Sequence, residues 1–169
     1  MRNIKIEKVV LSIGGVGEGL EKGVKLLSRI TGEKVVKRKS VKRIPTLGVR
    51  PGLEVGCMVT LRGKKADEIL KRLLATIDNK IKRKQVSENS FSFGIKEYIE
   101  IPGMQYQRDI GIIGFDVSIS FARAGKRVVR KKIKRGKLPK KQYVPKEEII
   151  NFLEKNFGVE VIEKQDDRK

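Results

Sequence analysis

The chain has 169 residues, enough to bury a real core as one domain, and 38% of them are hydrophobic, so it is not a solvated tail. Its 40 Lys and Arg against 20 Asp and Glu leave a formal charge of +20, a self-repulsion that a polyanion would relieve. With no His and only Cys57, an internal disulfide and a Cys/His zinc site are excluded; with no apolar run near the roughly 20 residues needed, so is a bilayer-spanning helix.

Read along the chain, residues 4–13 predict a strand, with Val9, Leu11 and Ile13 on one face and Val10 and Ser12 on the other. The glycine-rich GGVGEG at 14–19 then turns into a helix, where Leu20, Val24, Leu27 and Ile30 fall at helical spacing and Gly32 caps the end. A short β-rich patch follows, leading into a stretch from Lys37 to Leu53 with six Lys and Arg and no acid. Val55, Cys57, Val59 and Leu61 define one face of a second long strand, with Met58, Thr60 and Arg62 on the other. Ala66, Ile69, Leu70, Leu73, Leu74, Ile77 and Ile81 predict one amphipathic helix.

Short alternating segments broken by Gly94 occupy 87–101, and Pro102-Gly103 marks a turn. Residues 115–121 predict a third clear strand, Val117, Ile119 and Phe121 facing one way and Asp116, Ser118 and Ser120 the other. From Val117 to Lys146 no acid appears, while twelve residues are Lys or Arg. The segment 125–144 holds too many charges and breakers to pack and reads as a basic arm. Pro145 opens a last helix with Ile149, Ile150 and Leu153 inward and Gly158 at its end, and residues 165–169 read as a frayed tail. The expected architecture is α+β: a mostly antiparallel twisted sheet with helices packed on one face, plus a basic loop at 39–52 and the arm, in a single domain over 1–164.

The chemistry-bearing patterns are few. The glycine turn fits neither the dinucleotide pattern, which would need Gly at position 20 where Leu20 stands, nor a P-loop, which would need Gly-Lys-Ser/Thr. A tight structural turn is the plainer reading, although an RNA backbone could approach it. No nucleophile–base pair is marked, so neither catalysis nor a cofactor is expected, and no small-molecule substrate. Ser12, Thr60, Ser118 and Ser120 lie opposite the apolar strand faces, fringed by Arg62 and Arg123. Such a face is either ordinary solvated sheet or a surface a nucleic-acid backbone can approach closely. The two acid-free runs, with eighteen basic residues, favour phosphate binding without specifying the nucleic acid.

The stretches KVVLSIGGVGEG, LLSRITGEK, VKRIPTLGVRPG, VGCMVTLRG, FSFGIKEYIEIPG and IGFDVSIS, in this order, resemble the large-subunit ribosomal proteins of the L-five family. The basic ending from Gly125 to Val161 resembles its archaeal branch. The resemblance implies a structural protein of the cytoplasmic ribosome that binds 5S rRNA. It also implies contact with 23S rRNA and neighbouring proteins of the central protuberance, and a loop reaching the P-site tRNA.

Placed on this sequence, the 5S rRNA contacts are expected at Ser12, Lys37, Arg38, Lys39, Thr60, Arg62, Ser118 and Ser120. The tRNA-facing loop would use Lys42, Arg43, Pro45, Thr46 and Arg50; the arm would bring Arg123, Lys126, Arg127, Arg130, Lys131, Lys132, Lys134 and Arg135 to rRNA. Ser12 stands where the family often has Asn, and Glu33 where many members have Gln. The alternative reading is a general basic nucleic-acid-compacting protein, although no helix-turn-helix, zinc finger or heptad dimer is present. No membrane partner is expected.

Overall fold

The computed structural model describes residues 2–162, so the tail expected at 165–169 lies outside them. The main sheet has six antiparallel strands in the order β2-β3-β1-β7-β6-β5. These are β1 (Ile4–Gly14), β2 (Val36–Lys39), β3 (Glu54–Leu61), β5 (Val86–Ser87), β6 (Ser90–Ile95) and β7 (Phe115–Arg123). A separate pair, β4 (Lys80–Lys82) and β8 (Glu160–Ile162), runs parallel. Helices α1 (Glu18–Thr31), α2 (Lys64–Thr76), α3 (Arg127–Arg130) and α4 (Lys146–Phe157) complete the α+β fold. The described residues gather into two compact units, one of 2–9, 62–93 and 119–162, the other of 10–61 and 94–118.

In the second unit, strand alternation buries Leu11 and Ile13 on β1, Cys57, Val59 and Leu61 on β3, and Phe115 and Val117 on β7. Helix α1 lies on this apolar side through Leu20, Leu26, Leu27 and Ile30. It comes close because Gly23 has no side chain: a Cβ there would sit 3.1 Å from Ile13 Cγ2 and 3.2 Å from Cys57 Sγ. The helix ends at Gly32 in the left-handed conformation (φ 64°), as its position predicted. Burial pushes the Cys57 thiol pKa up from its ordinary value by desolvation. The reactive thiolate is therefore scarce, and iodoacetamide at pH 8 should label Cys57 at least tenfold faster in denaturant than in the native protein. Equal rates, read by mass spectrometry, would mean the α1–β3 contact opens freely.

In the first unit, α2 buries Ala66, Leu70, Leu73 and Leu74, and α4 buries Ile149 and Leu153. Phe152 of α4 meets Phe121 of β7 edge-on, ring centroids 5.8 Å apart. The sequence predicts a helix running to Ile81, and this is corrected: α2 stops at Thr76. Asp78 and Asn79 take positive φ (54° and 55°), a conformation these two residue types tolerate better than most. Ile81 instead fills an inward position of β4, fully buried, opposite Val161 of β8. Among the described residues, no helix is long and apolar enough to cross a membrane and no cluster of ligating side chains could hold a metal ion.

Candidate nucleic-acid interface

In the second unit, the side of the sheet away from α1 carries Ser12 on β1, Thr60 on β3 and Ser118 on β7, each half-buried. These strands are neighbours in the sheet order, so the three hydroxyls share one surface. Small side chains keep the surface low at these three positions, with the larger Val10 and Met58 standing beside them. Gly94 on β6 belongs to it too: a Cβ there would stand 3.3 Å from the Asp116 carboxylate, which faces the same way. Asp116 adds one negative group at this end of the face, which makes the Thr60 end the more favourable to phosphate.

The edge strand β2 separates three basic residues that adjoin in sequence. Its antiparallel register sets Val36 opposite Met58, Lys37 opposite Cys57 and Arg38 opposite Gly56. Arg38 therefore shares the hydroxyl side, and its Nη1 lies 3.4 Å from Met58 Sδ. Lys37 takes the opposite parity and pairs with Glu54 at 3.0 Å, while Lys39 follows a register shift. Of the three, Arg38 alone edges the surface that carries Ser12 and Thr60.

The basic loop continues β2 and β3 as an ordered hairpin. Ser40 N–H donates to the Leu53 carbonyl and Gly52 N–H to that of Ser40, both at 2.8 Å. Ile44 and Val49 exchange both backbone hydrogen bonds further out. Pro45 starts a short 3₁₀ turn, Gly48 ends it at φ 64°, and Val49, 5% exposed, anchors the loop. Lys42, Arg43, Pro45, Thr46 and Arg50 are all exposed, together with the apolar Val41 and Leu47. The loop is thus preorganised despite its charge, which lowers the ordering cost at binding.

In the first unit, Arg62 is exposed just after β3 and Ser120 is half-buried on β7. The segment 125–144 is held at both ends. Gln142 Nε2 donates to the Ala124 carbonyl at 2.7 Å, and Val144, fully buried, donates its N–H to Asn89 Oδ1 at 2.8 Å. Between them α3 folds back, with Gly136 N–H bonded to the Val128 carbonyl at 3.2 Å.

The structure divides the eight basic residues expected to meet rRNA. Arg123 pairs with Glu148, and Lys126 and Arg130 both pair with Glu7, whose side chain is only 12% exposed. Arg127, Lys131, Lys132, Lys134 and Arg135 are exposed and, among the described residues, have no carboxylate partner. Glu7 was missed in the sequence, yet it carried a signal: it shares the inward parity of Val9, Leu11 and Ile13, where an acid requires a cation.

A family model described as the C-terminus of the ribosomal L5 family matches residues 54–152. The large ribosomal subunit protein uL5 of Nanoarchaeum equitans is 47% identical over 165 residues, covering 96% of this chain and 98% of the relative. Those of Sulfurisphaera tokodaii and Methanosphaera stadtmanae are 43% and 41% identical, covering 96% and 92% of this chain and 94% and 95% of theirs. Similarity of this extent, spanning both the sheet and the loops that carry its basic residues, makes the chain a member of the ribosomal L5 family, of archaeal type.

Proposed function

We propose that this protein is a structural constituent of the large ribosomal subunit that binds 5S rRNA and helps attach it to 23S rRNA in the central protuberance of the cytoplasmic ribosome. The family is a structural one without catalytic activity. The observation that carries the reading is the shared face of Ser12, Thr60 and Ser118 edged by Arg38, in a chain of formal charge +20. Hydroxyls on a low surface suit hydrogen bonds to phosphates and 2′-hydroxyls, which distinguish RNA from DNA. The hairpin 39–52, with Lys42, Arg43, Pro45, Thr46 and Arg50 outward, supports a reach toward P-site tRNA.

The test is competition binding at raised salt, where nonspecific phosphate attraction is weakened and shape-specific contacts stand out. Labelled 5S rRNA should be displaced by unlabelled 5S rRNA and not by unrelated structured RNA of equal length. Equal displacement by both would reduce the binding to charge alone. Thr60→Val, which keeps side-chain shape, should weaken 5S rRNA binding about threefold to tenfold, the worth of one hydrogen bond. Its salt dependence should match wild type, because no charge is removed.

A further inference from the structure

Arg123 ends β7 at the inward parity of Val117, Ile119 and Phe121, and its side chain is only 10% exposed. Its Nη2 donates to Glu148, while its Nε is buried without an acceptor among the described residues. Arg123 lines an open cleft of about 850 Å³ together with Glu88, Lys140, Lys141, Tyr143, Pro145 and Glu148. Three cations against two carboxylates leave the cleft positive, and the amino end of α4, just after Pro145, adds to that field. The wall that presents Lys140, Lys141 and Tyr143 is braced by the Gln142–Ala124 and Val144–Asn89 hydrogen bonds. Tyr143 is 43% exposed, so its ring is available.

We propose that this cleft takes one unstacked nucleotide of a bound RNA. The phosphate sits between Lys140 and Lys141, in the field of the Arg123 guanidinium that lines the same cleft. The base lies against the Tyr143 ring, since every base offers a π face to an aromatic side chain. Glu88 accepts from a base amino group or the ribose 2′-hydroxyl, roles open to a carboxylate and closed to a lysine. A free anion would use only the cations. The aromatic ring and the acceptor beside them are what single out a nucleotide. The inference rests on the reading that the natural partner is RNA, and it adds a discrete site to a surface otherwise read as diffuse charge.

The probes are AMP and inorganic phosphate, titrated separately into the ¹⁵N-labelled full chain. AMP should shift the amides around 88 and 140–144, saturate, and bind at least fivefold more tightly than phosphate. Tyr143→Phe should keep that preference, Tyr143→Ala should abolish it, and Lys140→Gln with Lys141→Gln should weaken both probes. Equal, diffuse shifts from AMP and phosphate would overturn the proposal, as would an AMP affinity untouched by Tyr143→Ala. Competition with 5S rRNA separates this from the broader reading. Loss of the AMP site with intact 5S rRNA preference sinks the cleft alone, whereas wild-type protein indifferent to RNA identity sinks the broader reading.

Discussion

Replacing Lys131, Lys132, Lys134 and Arg135 with Gln is expected to flatten the salt dependence of RNA binding by a slope of about 3. Each phosphate contact contributes roughly 0.7 to 0.9 to that slope through counterion release. Between 50 and 200 mM salt, the affinity gap between wild type and variant should then narrow by roughly a hundredfold. All four side chains are exposed and have no carboxylate partner among the described residues, so their removal leaves the fold intact. The control is built into the same segment. Lys126 and Arg130 already face Glu7, so Lys126→Gln with Arg130→Gln should lower thermal stability and move the slope by less than one. A slope change of about 1.6 for this second variant, the worth of two phosphate contacts, would mean that the internal pairs open on binding and that these cations also reach phosphate.

The second large effect is on stability. Gly114 precedes β7 where the chain passes the end of β6: a Cβ there would lie 2.5 Å from the Lys96 carbonyl oxygen and 2.6 Å from that of Ile95. Both are backbone atoms, held nearby by the hydrogen bond from Tyr98 N–H to the Ile113 carbonyl, and Tyr98 itself is buried. Gly114→Ala should cost about 2–3 kcal/mol. That corresponds to a melting temperature lowered by roughly 5–10 °C, read by circular dichroism. Gly23→Ala makes the contrast. Its nearest neighbours are side-chain atoms at 3.1 and 3.2 Å, which can shift, and a helix interior gains up to about 1 kcal/mol from Ala over Gly. The two terms nearly cancel there. A Gly114→Ala protein melting within a degree of wild type would contradict the close backbone approach.

What the sequence reveals depends on whether a residue's partner is local. Period-two burial in Val9–Ile13, Val55–Leu61 and Phe115–Phe121, and the helical stripe of 66–74, are readable because each element repeats its own pattern. The end of α2 was not, because Ile77 and Ile81 continue the stripe while Asp78 and Asn79 break the backbone. Strands of three residues such as β4 and β8 carry too little pattern to register, and their pairing joins distant positions. The candidate interface divides in the same way. Alternation alone places Ser12, Thr60 and Ser118 on one side. Only the register of β2 against β3 separates Arg38 from Lys37. The internal pairs of Arg123, Lys126 and Arg130 depend on acids far away in the chain, so a basic run looks uniformly available until its partners are known.

The division into two units also sets an order in time. The second unit, 10–61 with 94–118, has all its residues once Ser118 has been synthesised. The first needs the amino-terminal part of β1, the middle of the chain, and finally β8, whose Glu160 N–H bonds the Asn79 carbonyl at 2.8 Å. During translation, one half of the molecule can reach its native contacts while the other waits with β4 unpaired. β1 runs through both units, so its amino-terminal part is synthesised long before the neighbours it has in the first unit. β8 is therefore the last described strand to be synthesised, and a stall before residue 160 would leave Ile81, apolar and buried in the folded protein, without its partner strand.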